Sequence, residues 1–560
     1  MSNIRIIPLG GLGEIGKNCW LIESDADMVM LDCGFAFPSE EMYGVDLVIP
    51  DFTYVVERAH KLRGVFVSHG HEDHIGALPF LYRELPHPEA VPIHGTPFTM
   101  ALVQRKLHEV SALRGKVPLL SCEPRTLVSA GDMTVEFIRV CHSIVDAVGF
   151  GIRTPQGMVI YSGDFKMDQT PMDGHRFDYF RFAALGEEGV LALLSDSTNA
   201  EREGITPSER VVGEGLRQAF GDAPGRVIVA TFASNVQRVQ QIIEVAHAYG
   251  RRVALVGRSM QQVTDQALKM GYMTVPEGAL ARIEDVMALP PDKVCIITTG
   301  SQGEPMSGLS RIAHGDHKHV TAFEGDTVIL SAVPIPGNER SVGRTINKLF
   351  GKGVHVIYEG ERSNARASRH VSGHASREEL KIMLTLTKPT YFIPVHGEPR
   401  HLIHHAELAI QMGVPPQHCF IMENGAVLEL GPDGGRFGDS VPSNPFLVDG
   451  QLLKDIGAAV LKDRRQLAME GVVSVALTVD GEGHLQDLPR LLSQGFVHGN
   501  EFMKMLPDAE ELIAAVLERC REEGQVGREV LKAEVSAALG RFFNERSRRR
   551  PVMLVSVLGA

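Results

Sequence analysis

Three histidines and an aspartate stand close together in the segment His-Gly-His-Glu-Asp-His at positions 69–74. The segment follows an apolar run and precedes a helical pattern, which is typical of a strand-to-helix turn. Residues two apart at a strand end point the same way, so His69 and His71 can bind one metal ion. Asp73 and His74 face a second position. So dense a cluster would be costly to bury without metal, and we predict a metal centre here.

Two further polar residues also stand directly after apolar, strand-like runs. His142 follows the run at 135–141, and Asp164 follows the run at 158–163. Asp164 is suited to bridge two cations, because a carboxylate offers two oxygens. Taken alone, each residue is equally well explained as an ordinary polar residue of a loop. Their shared position at strand ends favours a part in the same metal centre.

A glycine pattern near the start, Gly-x-Gly-x-x-Gly at 11–16, follows a strand in the way that dinucleotide-binding loops do. Asp32 stands at about the distance expected of a ribose-binding carboxylate. That kind of site needs a helix next, whereas residues 18–32 are typical of two strands joined by a turn. We therefore interpret the glycines as a tight turn near the floor of the site.

Size and composition set broad limits. A chain of 560 residues with 44% hydrophobic content is too long for one core and should form about three or four domains. Its net charge of −13 means that a polyanionic substrate needs a focused channel. The seven scattered cysteines form no C-x-x-C pair and indicate neither a disulfide framework nor a thiolate zinc finger. Without a long apolar run or a signal-peptide pattern, we expect a cytoplasmic protein with no membrane contact.

Strand and helix patterns divide the chain into five predicted segments. Residues 1–207 alternate short strands with turns, and residues 208–360 alternate strands with helices, which is typical of a βαβ domain. Residues 361–430 contain another buried strand and should complete the first domain. A Gly- and Pro-rich linker is predicted at 431–450. The tail domain at 451–560 should contain a strand, two helices and a last strand, beginning at Val472, Asp508, Arg528 and Val552.

The His-x-His-x-Asp-His segment, with a histidine and an aspartate at later strand ends, resembles the metallo-β-lactamase superfamily. Three further segments look like the additional motifs of its nucleic-acid-processing β-CASP branch, at 195–198, 372–376 and 394–398. Within that branch, nearly the whole chain is similar to bacterial ribonuclease J. The resemblance implies an α/β fold in which a metallo-β-lactamase αββα sandwich carries an inserted βαβ (β-CASP) domain and a small α/β C-terminal domain.

The resemblance also implies two divalent metal ions, zinc, manganese or both. One ion would be held by His69, His71, His142 and Asp164. The other would be held by Asp73, His74, Asp164 and His396, so that Asp164 is shared. Asp32 would support the floor of the site. An additional calcium ion would use Asp46 and Asp449.

For phosphodiester cleavage, two ions can activate water and neutralise charge on the phosphate, but the leaving oxygen still needs a proton. By resemblance, His374 is the general acid and Asp196 orients it, although a His in a helix-capping neighbourhood explains His374 as well. The same resemblance places a substrate-phosphate pocket at His370, Val371, Ser372, Gly373 and His374. Ser234 and Asn235 start a helix after a strand, so their N–H groups can bind an anion. Plain helix capping explains these two residues equally well.

The implied function is a ribonuclease that degrades single-stranded RNA from its 5′ end, prefers a 5′-monophosphate and also cuts internally. Such an enzyme serves ribosomal RNA processing and messenger RNA decay, as a homodimer through its C-terminal domain and with other RNA-decay proteins as partners. The alternatives are a β-CASP DNA nuclease and a small-molecule thioesterase or lactonase. The small hydrolases usually lack the inserted domain with Asp196 and His374, which counts against a thioesterase or lactonase. Nothing in the sequence directly recognises an RNA 2′-hydroxyl, so the DNA nuclease is the harder alternative to separate.

Overall fold

The computed structural model describes residues 3–39, 41–302, 307–334, 338–358, 370–450, 452–453 and 457–559. The chain divides into two compact units. The first comprises Met1–Phe37 and Val48–Phe446, and the second comprises Pro38–Leu47 and Leu447–Ala560. Residues 360 and 451, at two of the predicted domain boundaries, lie outside the described part of the chain.

The first part of the chain is rich in short strands, as its alternating pattern predicts. The strands are β1 (Ile4–Gly10), β2 (Cys19–Glu23), β3 (Met28–Leu31), β4 (Leu47–Ile49), β5 (Leu62–Phe66), β6 (Ile93–Gly95), β7 (Leu119–Ser121), β8 (Leu127–Ala130), β9 (Met133–Arg139), β10 (Val148–Thr154), β11 (Gly157–Tyr161) and β12 (Val190–Asp196). The helices are α1 (Thr53–Glu57), α2 (Glu72–Ile75), α3 (Leu78–Glu84), α4 (Pro97–Glu109) and α5 (Tyr179–Glu188).

An inserted segment then alternates helices with strands. Its elements are α6 (Arg210–Asp222), β13 (Val227–Ala230), α7 (Val236–Ala248), β14 (Arg252–Val256), α8 (Arg258–Met270), α9 (Ile283–Met287), β15 (Val294–Thr298), α10 (Gly308–His314), β16 (Thr327–Leu330), α11 (Glu339–Phe350) and β17 (His355–Ile357). The five strands form one parallel sheet in the order β14-β15-β13-β16-β17. Helical crossovers between parallel strands confirm the predicted βαβ character.

The chain then returns to the first domain. The returning elements are α12 (Arg377–Thr387), β18 (Tyr391–Val395), α13 (Pro399–Gln411), β19 (Leu428–Gly431) and β20 (Gly434–Phe437). The last two strands show that part of the predicted 431–450 linker is ordered β-structure. Strand β19 pairs with β1, and Gly434, with φ +108, follows the turn into β20. The glycines serve a hairpin here, and glycine-rich composition alone cannot separate a hairpin turn from a linker.

Two sheets pack face to face in the first unit, with helices outside them. Their strand orders are β20-β19-β1-β2-β3-β5-β6-β7 and β18-β12-β11-β10-β9-β8. Phe66 of the first sheet lies beside Phe137 and Phe150 of the second, with ring centroids 6.3 and 6.2 Å apart. The opposite face of the second sheet buries Leu193 against Phe182 of α5 and against α12. This arrangement confirms the predicted αββα sandwich.

The strand ends of this sandwich carry the predicted site residues. Residues 69–74 follow β5, and His142 follows β9. Asp164, Asp196 and His396 stand at or just after the ends of β11, β12 and β18. These three strands are parallel neighbours, so their carboxyl ends lie side by side. The sheet topology therefore brings together residues that are far apart in sequence.

The second unit is a small α/β domain. Its elements are β21 (Phe446–Asp449), β22 (Leu452–Leu453), α14 (Ala458–Glu470), β23 (Val472–Thr478), β24 (Arg490–Gln494), α15 (Gly499–Glu522), α16 (Arg528–Ser547) and β25 (Val552–Leu558). One face of the sheet β24-β23-β25 packs on α15 and α16. The prediction that the first helix begins at Asp508 is wrong, because α15 begins at Gly499 and accommodates Pro507 in its interior. A proline usually ends a helix, which misplaced the predicted start.

No helix among the described residues combines the length and the apolar character that a membrane span requires.

Candidate metal centre

Three imidazoles meet at the ends of β5 and β9. Nδ1 of His71 lies 3.0 Å from Nε2 of His69 and 3.1 Å from Nε2 of His142. The donor atoms of the three residues all lie within 4.8 Å of one another. Tetrahedral zinc, with Zn–N distances of about 2.0–2.1 Å, would hold such nitrogens roughly 3.3–3.4 Å apart. The spacing is therefore close to that of ligands around one ion.

In two of these rings, the nitrogen that points away from the cluster donates a hydrogen bond. This fixes the other nitrogen as the unprotonated one. Nδ1 of His142 donates to the carbonyl of Gly373 at 2.8 Å. Ser68 Oγ donates to Asp32 at 2.8 Å, so it accepts from Nδ1 of His69 at 3.0 Å. In both neutral rings, the Nε2 lone pair then faces His71, which can offer a proton to only one of them. A cation between the three rings resolves this conflict.

A second donor set consists of Asp73, His74, Asp164 and His396. Nδ1 of His74 donates to Asp32 at 2.7 Å, which leaves its Nε2 facing Asp164 at 3.3 Å. Nε2 of His396 lies 3.3 Å from Oδ2 of Asp73. Two imidazoles and two carboxylates of this kind suit a divalent cation of the zinc or manganese type.

Asp164 lies between the two donor sets. Its Oδ2 is 3.8 Å from Nε2 of His69, 3.7 Å from Nε2 of His142 and 3.3 Å from Nε2 of His74. Burial opposes the charge of this carboxylate, but His396 and His74 hold its pKa well below the usual range. The group is therefore ionised, and it is positioned for the shared role that the family resemblance implies.

The histidines of the two sets differ in their preferred charge. Burial and the neighbouring imidazoles hold the pKa of His69 well below its usual value, so its neutral, metal-binding form is favoured. Burial also opposes charge on His396, but Asp164, Asp196 and Asp73 outweigh it and raise the pKa to about 10. The same carboxylates would attract a divalent cation. The electrostatics of the pocket thus favour positive charge at the position between these carboxylates.

Asp32 supports the floor of the site, as the resemblance implies. Its Oδ1 accepts from the Ser68 N–H at 2.7 Å, and its Oδ2 accepts from the Tyr161 hydroxyl at 2.9 Å and from His74. The left-handed backbone of Asp32, with φ +58, turns the chain beneath the ring of His74. The hydrogen bond of Tyr161 was not predicted from the sequence, because the pattern of an apolar strand does not show which distant residue a hydroxyl contacts.

His374 and Asp196 form a pair beside the second donor set. Nδ1 of His374 donates to Oδ2 of Asp196 at 2.7 Å, and the ring stacks on His396 with centroids 5.3 Å apart. Burial opposes charge on His374, but Asp196 raises its pKa above the usual value. The His374 side chain keeps 19% exposure, whereas that of Asp196 keeps 1%. His374 is therefore partly exposed beside the second donor set, whereas Asp196 is buried.

The loop that carries His374 is tied to the metal centre. A Cβ at Gly373 would lie 2.6 Å from Cε1 of His142, so only glycine fits between the loop and that ring. Asn199 Nδ2 donates to Ser372 Oγ and to the His374 carbonyl, both at 2.9 Å. Asn199 directly follows the 195–198 motif, and its contact with the loop was not anticipated from the sequence.

Thr198 is a further functional neighbour that sequence reasoning left without a role. Its Oγ1 donates to Oδ1 of Asp196 at 2.7 Å and therefore accepts from Nδ1 of His396 at 2.7 Å. This sets the tautomer of His396 and leaves its Nε2 facing Asp73. The position of Thr198 within the 195–198 motif was the sequence signal that could have indicated this role.

The residues that were predicted to bind a substrate phosphate have different surroundings in the structure. Burial and, to a smaller extent, the positive charges of Arg238 and Arg202 lower the pKa of His370 to about 3, so the neutral ring is favoured. Val371 is buried. The Asn235 side chain accepts from the Arg238 N–H at 3.0 Å, which is the helix-capping role that the sequence left open.

The remaining sequence predictions lie away from the donor sets. The carboxylate of Asp449 pairs with Arg464 at 2.7 Å, and Asp46 accepts from the Gly450 N–H at 2.7 Å. Within the described residues, these two aspartates belong to no cluster of metal-type donors. Strand β2, not a helix, follows the glycine pattern at 11–16, which confirms that it is no dinucleotide loop.

The fold and the two His and Asp donor sets define a metallo-β-lactamase-type metallo-hydrolase with an inserted β-CASP domain. Four family models match the chain in that order: the metallo-beta-lactamase superfamily at 12–131, the ribonuclease J beta-CASP domain at 224–349, the Zn-dependent metallo-hydrolase RNA specificity domain at 364–422 and the ribonuclease J C-terminal domain at 459–559. The chain belongs to the ribonuclease J family, a family of metal-dependent ribonucleases.

Relatives match over nearly the full length. The chain is 40% identical over 558 residues to ribonuclease J2 of Bacillus subtilis (strain 168), covering 100% of this chain and 99% of that protein. It is 41% identical over 560 residues to ribonuclease J of Thermus thermophilus, covering 100% and 95%. A solved structure of a protein of unknown function from Enterococcus faecalis V583 shares the fold, with a TM-score of 0.52 and 17% identity over 76% of this chain and 100% of that chain.

We expect Asp164→Asn to lose most of the bound divalent metal, because it removes the anionic group that lies within 3.8 Å of histidine nitrogens from both donor sets. Elemental analysis of the purified protein measures this loss. Asp168→Asn is the matched control, since both aspartates are 3% exposed and Asp168 belongs to neither set. A wild-type metal content in Asp164→Asn would contradict the bridging position.

Proposed function

We propose that this chain hydrolyses RNA phosphodiesters by a two-metal mechanism, as a 5′-to-3′ exonuclease that prefers a 5′-monophosphate and also cuts internally. The observation that carries the proposal is the pair of donor sets with the Asp164 carboxylate between them and His374 beside them. Such an enzyme acts in RNA processing and decay, with other decay proteins as partners. Histidine and carboxylate ligands suit zinc and manganese alike, so we assign either metal or both to the two positions.

Two divalent cations, when bound, would lower the pKa of water and neutralise the charge that develops on the phosphate. The residues of the chain supply the rest. Imidazoles whose outer nitrogens are hydrogen-bonded would hold the cations without reorienting. His374, held through Nδ1 by Asp196, offers its Nε2 proton to the leaving 3′ oxygen of the RNA. Because Asp196 favours the protonated ring, His374 is suited to act as the acid at neutral pH.

We expect His374→Ala to keep its metal and to lose about 100- to 10,000-fold in kcat on RNA, the range typical of a lost general acid. Single-turnover cleavage and elemental analysis on the same preparation measure both effects. His404→Ala, an exposed histidine on α13, is the control and should behave as wild type. If His374→Ala loses metal, then His374 is a ligand and not the proton donor.

The preference for a 5′-monophosphate is supported by the surroundings of His370. The positive charges of Arg238 and Arg202 act on this ring, and Arg238 is fixed on α7 by its buried ion pair with Glu209. The loop from His370 to His374 also carries the proposed acid. A terminal phosphate bound here would therefore lie at a fixed distance from the reacting phosphodiester. A triphosphate is larger and more highly charged, and it should fit the same pocket poorly.

We expect RNA with a 5′-monophosphate to be degraded faster than the same RNA with a 5′-hydroxyl or 5′-triphosphate, with mononucleotides released from the 5′ end. Single-stranded RNAs labelled at either end test both claims. Matched DNA oligonucleotides test the alternative of a β-CASP DNA nuclease. Equal rates on all three termini, or release from the 3′ end, would overturn the directional proposal and leave the metal-dependent hydrolase standing.

A small-molecule thioesterase or lactonase is the weaker alternative. Those enzymes need only the metal ligands, whereas this chain adds the inserted β-CASP domain and a segment that matches an RNA specificity domain. The Asp196–His374 pair also has a clear use in protonating the leaving oxygen of a phosphodiester.

We further propose a homodimer through the C-terminal domain. The sheet β24-β23-β25 buries one face on α15 and α16, while the other face exposes Leu492 and Leu554 by 72% and 55%. Both leucines pair with Ser474 of the central strand, so they lie on one row across the sheet. An exposed apolar row of this kind is suited to pack against a second copy of itself.

We expect the double variant Leu492→Glu, Leu554→Glu to be monomeric, because two carboxylates on each copy would repel across the apolar face. Light scattering at several protein concentrations gives the mass. Leu488→Glu is the control, since Leu488 is 77% exposed but lies outside the strands of the sheet. A monomeric wild type, or a double variant that is still dimeric, would contradict this interface.

A further inference from the structure

The glycine pattern at 11–16 leads into Asn18, and the side chain of Asn18 contacts the second donor set. Asn18 is fully buried. Its Nδ2 lies 3.4 Å from Oδ2 of Asp73 and 3.0 Å from Nε2 of His74. Both of these atoms belong to the second donor set, whereas Asn18 is not one of its four members. An uncharged amide therefore lies directly beside the ligands of the proposed second ion.

Asn18 contacts Asp73 through its main chain as well as its side chain. The Asn18 N–H donates to the Asp73 carbonyl at 3.0 Å, and the Asn18 carbonyl accepts from the Gly34 N–H at 2.9 Å. A Cβ at Gly34 would overlap the carbonyl of Asp73, so the chain can approach this closely only at a glycine. The backbone of Asn18 is thus fixed relative to that of Asp73, and its amide donates to the carboxylate of the same residue.

Asp73 is the ligand of the second set that most needs a partner. Its side chain is 28% exposed, whereas the side chains of the other three ligands are at most 3% exposed. The two histidines of the set are held by hydrogen bonds to Asp32 and Thr198. Within the described part of the chain, Asn18 is the one residue outside the set that donates a hydrogen bond to the Asp73 carboxylate. Hydrogen bonds of this kind keep a ligating carboxylate in its orientation.

The first glycine of the pattern provides the space for this amide. A Cβ at Gly11, where φ is +90, would lie 2.6 Å from Oδ1 of Asn18 and would displace the side chain. Oδ1 is buried and has no hydrogen-bond partner among the described residues. Leaving an amide oxygen unsatisfied costs free energy, so the contacts of Nδ2 must determine how the amide is oriented. The glycine pattern therefore has a use other than binding a dinucleotide.

A cation would change the contacts of the amide. Nδ1 of His74 donates to Asp32, so Asn18 faces the lone pair on Nε2 of His74. A cation bound by His74 would occupy that lone pair and leave Asp73 as the acceptor for Nδ2. Because a carboxylate oxygen has two lone pairs, Oδ2 of Asp73 can accept from Asn18 and bind a cation at the same time.

We propose that Asn18 is a positioning residue for the second cation and acts by orienting the carboxylate of Asp73. This rests on the proposed two-metal function. The test titrates Zn²⁺ into the metal-free, full-length protein by calorimetry and compares Asn18→Leu and Asn18→Asp with the wild type. Gln241→Leu is the matched control, because Gln241 is also a buried amide with an unpaired oxygen and lies on α7, in neither donor set.

We expect Asn18→Leu to weaken the binding of one of the two zinc ions by about 10- to 100-fold, as for other residues that orient metal ligands. The other ion should bind with wild-type affinity, and Gln241→Leu should bind both ions normally. Adding His71→Ala, which removes a ligand of the first set alone, should then remove the remaining ion. A purely structural role for Asn18 would instead weaken both ions or neither, and either result would overturn the proposal.

Asn18→Asp distinguishes a positioning residue from a direct ligand. A carboxylate keeps the shape of the amide but has no N–H to donate, and it repels Asp73. We therefore expect Asn18→Asp to lose the same zinc ion as Asn18→Leu. If Asn18 instead bound the ion through Oδ1, the added negative charge would tighten zinc binding, and that result would also overturn the proposal. Because Asp has the shape of Asn, this variant keeps the test valid if Asn18→Leu fails to fold.

The wild type separates failure of the inference from failure of the proposed function. A wild-type protein that binds two zinc ions, together with an Asn18→Leu variant of equal affinity, would refute the role of Asn18 alone. A wild-type protein that binds fewer than two zinc ions would refute the two-metal function and this inference with it.

Discussion

The parallel pairing of β11, β12 and β18 is the constraint on which the metal centre depends. These strands end side by side, and their ends carry Asp164, Asp196 and His396. His396 comes from the part of the chain that follows the inserted domain. The sandwich must therefore be completed by β18 before the second donor set exists. Assembly of the second donor set therefore requires the pairing of β18 with β12, on either side of the insertion in sequence.

A rigid network around the ligands explains how so many ionisable groups can be buried together. Ser68, Thr198 and the Gly373 carbonyl each accept a hydrogen bond from the outer nitrogen of one histidine. The inner nitrogens of those histidines then point at carboxylates or at one another. In water these imidazoles and carboxylates would not keep their relative positions. The packed strands, and a close contact that only glycine allows, hold them in place. The energy of folding is used here to preorganise a position for positive charge.

Strand and helix patterns predicted the inserted βαβ domain, and the dense histidine segment with the strand-end positions of His142 and Asp164 predicted a metal centre. The αββα sandwich and the inclusion of His396 came from the family resemblance. Residues such as Tyr161 and Asn199 could not be predicted, since their function depends on partners brought close only by tertiary packing. The ordered hairpin β19–β20 and the early start of α15 were misread for a related reason. Glycine and proline mark local preferences, and pairing with β1 or helix packing overrides them.

The acidic character of the chain bears on how it can select a substrate. With a net charge of −13, the protein repels RNA at long range, and salt screens charges beyond about 8 Å at physiological ionic strength. Attraction must then arise within that distance, at the positions where the two donor sets would hold cations. Contacts of such short range to phosphate groups carry no sequence information, because the phosphate is the same at every nucleotide. The charge distribution therefore sets where a polyanion can bind and leaves base selection to other contacts.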